Sequence, residues 1–170
     1  VELYGQPCII ARDIEPVNMS GPLPKNAISG SFSWQGQPCS ILVRGGKVVR
    51  NWSCHYPRPE SVLYKIAGGA VRIARVSSAA ALGGVVWAVG GMGLLGNYNP
   101  AAEGFTGRFA DVLRKTNHTV LGYKGGLLYG VYCKSMTAQQ VNAFVRDKLK
   151  LEYAVMLDGG HVAAIHAAVI

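Results

Sequence analysis

The chain runs Thr119-Val-Leu-Gly-Tyr-Lys-Gly-Gly-Leu-Leu-Tyr-Gly-Val-Tyr132 through its second half, and this stretch decides the predicted fold. Apolar and β-branched residues on both sides of a Gly-Gly pair are typical of a hairpin whose turn needs positive φ at both central residues. The pattern recurs in Ile41-Leu-Val-Arg-Gly-Gly-Lys-Val-Val-Arg50 and across Gly68-Gly69, between Tyr64 and Ile73. The three units share only this turn chemistry, so they predict a largely antiparallel sheet and no solenoid repeat.

One amphipathic helix is predicted from about Thr137 to Leu149. Thr137 and Gln140 have the spacing of a capping box, in which each side chain bonds the other residue's backbone. The apolar face consists of Val141, Phe144, Val145 and Leu149. A second, weaker helix is predicted over Pro100 to Lys115, although two internal glycines count against it.

Two apolar runs lie outside these elements. Tyr153-Ala-Val-Met-Leu157 predicts a fully buried strand. Residues Ser77 to Gly96 carry no charge over about the length of a membrane span, but six glycines make that stretch a poor helix. We therefore predict a buried strand and loop there, and no transmembrane segment. No basic n-region followed by an apolar segment opens the chain, so a signal peptide is expected to be lacking or already removed.

Length and composition fit one folded unit. With 170 residues, 49% hydrophobic and 15% charged, the chain can bury one core but not two full-sized ones. The predicted fold class is α+β, with a largely antiparallel or mixed twisted sheet of hairpins packed on one main amphipathic helix. Residues 1–170 are expected to form a single domain.

The net positive charge favours anionic binding partners. Seventeen Lys and Arg against nine Asp and Glu give a formal charge of +8, which favours phosphorylated sugars, cell-wall polymers, nucleic acid or acidic membrane surfaces. The basic residues are dispersed, and the sequence contains no basic helix, zinc-finger spacing or aromatic RNA-binding motif. A nucleic-acid partner is therefore not expected.

Neither a structural metal nor an organic cofactor is expected, and a metal requirement for activity stays open. Cysteines 8, 39, 54 and 133 form no CxxC pair and have no histidine at zinc-ligand spacing. A disulfide between Cys39 and Cys54 and a set of buried thiols remain equal alternatives. Gly91-Met-Gly-Leu-Leu-Gly96 has the spacing of a dinucleotide-binding loop, but Asn97-Tyr-Asn-Pro100 interrupts the helix that such a loop requires.

Four segments occur in an order that is informative as a set. They are Ala27-Ile-Ser-Gly-Ser-Phe32, the glycine-rich run Val86 to Leu95, the stretch from Thr119-Val-Leu-Gly122 to Met136-Thr137, and Leu157-Asp-Gly-Gly160. Together they resemble the phosphodiester glycosidase family, over about residues 26 to 166. The family's corresponding segments read Ala-Ile-Asn-Gly-Gly-Phe, Gly-Gly-Gly-Pro-Leu-Leu, a strand followed by a Met-Thr helix, and Leu-Asp-Gly-Gly-Gly-Ser.

The chain departs from the family pattern at three places. Ser29 replaces an Asn, His118 replaces an Arg, and His161-Val162 replace Gly-Ser. All three belong to segments that the resemblance places around the site. The departures imply a different substrate, or catalysis that is altered or lost.

The resemblance implies a hydrolase that cleaves a glycosyl phosphodiester, with Asp158, His118 and His161 as catalytic residues. Asp158 follows the predicted buried strand and precedes two glycines, so its carboxylate can project into a cleft as base or nucleophile. A simple Asp-Gly turn is the alternative. The two histidines can donate to phosphate oxygens or protonate a leaving group, whereas structural histidines are the alternative.

The predicted substrate-binding residues share either small size or positive charge. They are Ser29, Gly30, Gly91, Gly159, Gly160 and Lys134. For Ser29 ordinary turn chemistry is an equal alternative, and for Lys134 a solvated surface position is the alternative. A two-acid mechanism needs a second carboxylate, for which Asp13, Glu15 and Glu103 are candidates.

Two other function classes stay open. The first is a non-catalytic binder of a sugar-nucleotide or phosphorylated glycan on the same fold. The second is a cell-envelope attachment module that uses its positive charge on anionic polymers. The family resemblance implies an extracellular or cell-envelope location.

Overall fold

The computed structural model describes residues 8–12, 15–17, 27–35, 37–96, 98–160, 163 and 165–166. In chain order the strands are β1 (Cys8–Arg12), β2 (Glu15–Val17), β3 (Ala27–Ser29), β4 (Ser33–Trp34), β5 (Gln37–Pro38), β6 (Leu42–Arg44), β7 (Lys47–Arg50), β8 (Glu60–Ile66), β9 (Val71–Val76), β10 (Val85–Gly93), β11 (Thr116–Lys124), β12 (Leu127–Met136), β13 (Tyr153–Met156) and β14 (Ile165–His166).

Nine of these strands form one antiparallel sheet. Its spatial order is β1-β12-β11-β13-β10-β6-β7, and β8 pairs with β10 and carries β9 at its other edge. A small sheet of β14, β3 and β2 contains a parallel pair, β2 with β3, and the short strands β4 and β5 form a separate hairpin. The fold is α+β with a mostly antiparallel sheet, as the hairpin pattern predicted.

All three predicted hairpins are confirmed. They are β6–β7, β8–β9 and β11–β12. Gly45 and Gly46 have φ of 56° and 75°, and Gly125 and Gly126 have φ of 59° and 84°. The middle hairpin differs, because only Gly68 has a positive φ, of 72°. There the turn closes with a hydrogen bond from the Gly69 N–H to the Ile66 carbonyl, at 2.9 Å.

The central strands are apolar on both faces because both faces of the sheet are covered. Val120 and Met156 belong to the core that packs under the helix, whereas Leu121, Val155 and Leu157 belong to a core on the opposite face. All five side chains are at most 1% exposed. The predicted buried strand after the helix is confirmed as β13, which lies between β11 and β10.

The main helix begins as predicted and changes type part-way along. Thr137 Oγ1 accepts from the Gln140 N–H at 3.2 Å, and the Thr137 N–H donates to Gln140 Oε1 at 2.8 Å, so the capping box is confirmed. The α-helix α1 covers Ala138–Ala143, and a π-helical turn follows over Phe144–Lys148. The wider turn leaves Phe144 and Val145 buried together, while the charged residues after them face outward.

The second predicted helix is wrong in type. Two short 3-10 helices, Ala101–Glu103 and Gly107–Leu113, replace one α-helix. Gly104 and Gly107 have φ of 90° and 57°, which ends any α-helix at that point. A Cβ on Gly104 would also lie 2.6 Å from the His55 Cβ, so the break is built into the packing.

The apolar stretch Ser77 to Gly96 contains β10 and no long helix. In the part of the chain that the structure describes, no helix combines the length and the apolar character needed to cross a membrane.

Candidate functional site

A cavity of about 310 Å³ lies where β11 and β13 meet the second 3-10 helix. Four residues predicted from the sequence line it: His118, Asp158, Gly159 and Gly160. The remaining lining residues are Phe32, Ser33, Asp111, Val112, Arg114, Thr116, Met156 and Leu157. The volume is at the lower end of the range of small-molecule sites.

Hydrogen bonds hold Asp158 just after the end of β13. The Leu157 N–H donates to the Thr119 carbonyl at 2.8 Å, and the Asp158 N–H donates to the Gly30 carbonyl at 3.2 Å. The Thr119 hydroxyl donates to the Asp158 carbonyl at 2.6 Å. The side-chain Oδ1 accepts from the Gly159 N–H at 2.9 Å. These contacts fix the direction of a half-buried carboxylate that borders the cavity.

Both glycines after Asp158 are required by the local geometry. An added Cβ at Gly159 would lie 2.6 Å from the Asn117 carbonyl oxygen and 3.4 Å from His118 Nδ1. Gly160 has φ of 67°, a conformation that other residues rarely adopt. The backbone of these two residues can therefore approach a bound molecule closely.

We expect Gly159→Ala to destabilise the protein by roughly 1–3 kcal/mol, because a methyl group cannot fit against a backbone carbonyl at that distance. Thermal unfolding measures the effect as a fall of several degrees in Tm. Gly84→Ala is the matched control, since a Cβ there meets nothing within 4 Å. Equal melting temperatures of the two variants would show that the Gly159 segment is not tightly held.

His118 is almost fully enclosed at the back of the cavity. It is 1% exposed, and its Nε2 donates to the Arg114 carbonyl at 3.1 Å. Burial lowers the pKa of His118; backbone hydrogen bonds with Arg114 and Met136 oppose this, and the charge of Arg114 adds to it. A neutral ring whose donor already bonds a backbone carbonyl favours a positioning role for His118 over transfer of its proton.

Arg114 and Asp111 also line the cavity, and the sequence did not indicate either of them as a site residue. Arg114 Nη1 donates to Asp111 Oδ2 at 2.6 Å and to the Asp111 carbonyl at 2.8 Å. The other terminal nitrogen, Nη2, lies 3.5 Å from the position that a Cβ on Gly160 would occupy. The cavity therefore places a guanidinium beside the Gly159-Gly160 backbone. Because the sequence pattern predicted a helix here, it gave no sign that both side chains would turn to one site.

Glu60 carries a buried carboxyl group that does not line the cavity. Glu60 is 1% exposed, and its two oxygens accept from the N–H groups of Ile41 at 2.7 Å and Cys54 at 3.2 Å. Burial raises the pKa of Glu60 to about 8, although these hydrogen bonds lower it. A Cβ on Gly90 would lie 2.4 Å from Glu60 Oε1, so a glycine in β10 makes room for the acid.

Cys39 is hydrogen-bonded to a residue that lines the cavity. Its N–H donates to the carbonyl of the cavity residue Phe32 at 2.8 Å. Burial raises the pKa of Cys39, Arg50 lowers it, and the carboxylates of Asp158 and Glu60 raise it further.

Cys39 and Cys54 are both thiols in the structure, which agrees with the thiol alternative and not with a disulfide between them. Burial is the main cause that raises the pKa of Cys54 to about 12. Neither thiol therefore has the lowered pKa that makes a cysteine a reactive nucleophile near neutral pH.

Glu103, a candidate for the second carboxylate, is held in a separate polar cluster. Its Oε1 accepts from the N–H groups of Ser61 at 3.3 Å and Gly93 at 3.0 Å. Its Oε2 accepts from the Ser61 hydroxyl at 2.8 Å and from Arg75 Nη2 at 2.7 Å. Glu103 is 1% exposed and does not line the cavity, so the geometry gives it a structural role. Asp13 lies outside the described residues, and Glu15 is described only by its backbone in β2.

The other predicted site residues are distributed differently. Gly30 is buried and bonds the Asp158 backbone. Gly91 lies within β10, where an added Cβ would be 2.5 Å from the Met156 carbonyl oxygen, and Lys134 is exposed on β12; neither lines the cavity. Ser29 ends β3, and only its backbone is described. His161 lies outside the described residues.

A second cavity, of about 340 Å³, lies beside the main helix. Its lining includes Gln140, Asp147 and Lys148. Asp147 is bonded to Arg146 at 2.9 Å and lies on the exposed side. No histidine lines this cavity, so it offers less chemistry than the cavity at Asp158.

Among the residues that the structure describes, no three His, Cys, Asp or Glu side chains gather in a way that could hold a metal ion. The side chains that line the Asp158 cavity instead include one unlike-charge pair, one histidine, one further carboxylate and the hydroxyl groups of Ser33 and Thr116.

Comparison with solved structures gives a neighbour with the same fold. The catalytic domain of zebrafish N-acetylglucosamine-1-phosphodiester alpha-N-acetylglucosaminidase, described as auto-inhibited by its pro-peptide, superposes with a TM-score of 0.64 and 20% sequence identity. The alignment covers 93% of this chain and 53% of that chain, so this chain spans about half the length of the neighbour. The likeness shows a shared fold.

A second solved structure, a hypothetical protein from Synechocystis, aligns over 94% of this chain and 37% of that chain, with a TM-score of 0.45 and 15% identity. No protein-family model and no curated protein sequence matches the chain.

Proposed function

We propose that this chain is a hydrolase that cleaves a glycosyl phosphodiester between the anomeric carbon of the sugar and the phosphate oxygen. One observation carries the proposal: the Asp158 carboxylate, the Arg114 guanidinium and the Gly159-Gly160 backbone border one cavity of about 310 Å³. The fold shared with a phosphodiester glycosidase catalytic domain supports the assignment.

Asp158 is the proposed reacting group. A phosphate is already a good leaving group, so the main requirement is a carboxylate that activates water or attacks the anomeric carbon itself. The Gly30 and Thr119 contacts hold its backbone, and the Gly159 N–H holds its Oδ1, so the carboxylate has little freedom. In the overall reaction a water hydroxyl adds to the anomeric carbon, the phosphate keeps the electron pair of the broken bond, and the remaining proton of the water is released to solvent.

Arg114 is the proposed phosphate partner. Its guanidinium lies beside Gly160, and the family resemblance places His118 where an arginine is usual. Arg114 supplies from the neighbouring 3-10 helix the positive charge that His118, with its lowered pKa, does not carry near neutral pH. Asp111 orients Arg114 through their 2.6 Å ion pair. A guanidinium fits the paired oxygens of a phosphate better than an ammonium does.

We expect Arg114→Gln to lower kcat/KM for a sugar phosphodiester by about 10- to 100-fold, because it removes a charge-assisted hydrogen bond to phosphate. Steady-state kinetics measures the change. Arg146→Gln is the matched control, since Arg146 is also exposed and also bonds an aspartate, but lies outside the cavity. Equal kinetics for both variants would remove Arg114 from the site.

The experiment that tests the function is mass spectrometry after incubation with a panel of sugar-1-phosphodiesters that includes UDP-N-acetylglucosamine. Free sugar that accumulates with time supports the hydrolase. Absence of free sugar across the panel, together with an unchanged ligand that stays bound through gel filtration, would instead establish a binder.

The binder is the second candidate, and one observation favours it. The other carboxylate lining the cavity, Asp111, is engaged in an ion pair with Arg114. A site with a single carboxylate for chemistry suits capture of a sugar phosphate as well as its hydrolysis.

A further inference from the structure

Three aromatic side chains are exposed on the loop of residues 51–59 and on the second 3-10 helix. Trp52 is 47%, Tyr56 is 56% and Phe109 is 44% exposed. The rings of Trp52 and Tyr56 lie 4.7 Å apart, so they form one surface and not two isolated side chains. Grouped exposed rings of this kind commonly mark a binding site. We call Trp52, Tyr56 and Phe109 the aromatic surface.

A chain of ring contacts joins the aromatic surface to the cavity. His55, in the same loop as Trp52 and Tyr56, lies 4.6 Å from the Phe109 ring and 4.8 Å from the Phe105 ring. Phe105 in turn lies 5.5 Å from Phe32, which lines the cavity. The 3-10 helix Gly107–Leu113 makes the same connection, because it carries Phe109 near its start and the cavity residue Val112 near its end.

Two exposed arginines accompany the aromatic rings. The Arg108 guanidinium lies 4.8 Å from the centre of the Phe109 ring. Arg58 Nη1 donates to the Ala101 carbonyl at 3.1 Å, which fixes the loop against the first 3-10 helix. Within the described residues neither arginine forms an ion pair with a carboxylate. The nearest acid along the same helix, Asp111, is already bonded to Arg114. The charge of the surface is therefore positive and not neutralised.

We propose that the aromatic surface, with Arg58 and Arg108, binds the chain of an acidic polysaccharide that extends from the cavity. Sugar rings present a face of C–H groups, which carry partial positive charge and stack on the negative face of an aromatic ring. Acidic groups on the same chain pair with the guanidinium groups. The choice of polysaccharide over nucleic acid rests on the proposed function, since the cavity that the surface adjoins then holds a sugar.

The surface gives the protein a second level of recognition. The cavity of about 310 Å³ holds one sugar-sized group, so it cannot by itself distinguish a free sugar phosphodiester from one attached to a polymer. A polymer that also covers Trp52 and Tyr56 binds with the combined contacts of both places. The natural substrate is accordingly a linkage within, or at the end of, an acidic polymer.

Titration calorimetry with a hexasaccharide of galacturonic acid tests the proposal, with maltohexaose as the neutral probe and hexathymidylate as the nucleic-acid probe. We expect the acidic hexasaccharide to bind most tightly of the three. Trp52→Ala and Tyr56→Ala are each expected to weaken that binding by about tenfold, the order of one aromatic contact. Trp52→Phe, which keeps a flat ring, is expected to retain most of the affinity. Arg108→Ala is expected to weaken binding of the acidic probe and to leave that of maltohexaose unchanged.

Val49→Ala is the control, because Val49 is 50% exposed and apolar but lies on β7. Tighter binding of hexathymidylate, equal binding of the two sugars, or affinities unchanged by Trp52→Ala would overturn the proposal. A protein that binds the acidic hexasaccharide through Trp52, yet hydrolyses no phosphodiester, would contradict only the proposed function.

Discussion

Asp158→Asn is expected to lower the turnover of a sugar phosphodiester by about a thousandfold or more, while the melting temperature stays nearly unchanged. The amide has the volume of the carboxyl group, and its oxygen can still accept the hydrogen bond that Gly159 donates at 2.9 Å. It cannot, however, act as base or nucleophile. Rate measurements under saturating substrate and thermal unfolding of the same preparation check both halves of the result.

Asp147→Asn provides the control for charge removal, because Asp147 is exposed and bonded to Arg146, outside the Asp158 cavity. If Asp158→Asn unfolds while Asp147→Asn does not, Asp158 is mainly a turn anchor. Undiminished turnover of Asp158→Asn would place the chemistry elsewhere in the chain.

Glu60 is expected to make the protein less stable as the pH rises. Its pKa is about 8 in the folded protein against a usual value of 4.5, so unfolding releases a proton throughout that interval. The contribution of Glu60 to the free energy of unfolding is fully present below about pH 4.5. It is lost progressively up to about pH 8, by about 1.4 kcal/mol per pH unit. Chemical denaturation at about pH 5.5 and about pH 7.5 should therefore differ by about 3 kcal/mol on account of Glu60.

Glu60→Gln isolates this effect, since glutamine does not titrate. The slope of stability against pH should be less negative in the variant than in the unchanged protein. His118 contributes a slope of the opposite sign, because its lowered pKa makes the unfolded state bind more protons, and this contribution cancels between the two proteins. Parallel slopes for Glu60→Gln and the unchanged protein would contradict the buried acid.

The parts of the fold that follow local rules could be predicted from the sequence. Gly45-Gly46 and Gly125-Gly126 determine tight turns by their backbone freedom alone, and Thr137 determines the helix start through its own side chain. Such features need no knowledge of distant residues. The buried strand β13 could also be predicted, because a strand between two others has no polar face.

Other features depend on contacts between distant segments. The second 3-10 helix replaces an α-helix because glycines at 104 and 107 have positive φ, and the close approach of His55 explains Gly104. Arg114 and Asp111 line the same cavity as Asp158, which is far from them in the sequence. Glu60 likewise looks like an ordinary charged residue in the sequence, because the sequence does not show that Gly90 makes room for its side chain. For the site, the sequence pointed to His118, Asp158 and the two glycines after it, but not to Arg114 and Asp111.

The position of bond cleavage tests the central claim most directly. The protein is incubated with a sugar phosphodiester that it turns over, in water enriched in oxygen-18, and the masses of the products are measured by mass spectrometry. Cleavage at the anomeric carbon, as proposed for Asp158, puts the label in the free sugar and leaves the phosphate product unlabelled. Label in the phosphate product would show attack at phosphorus and would contradict the glycosidase assignment.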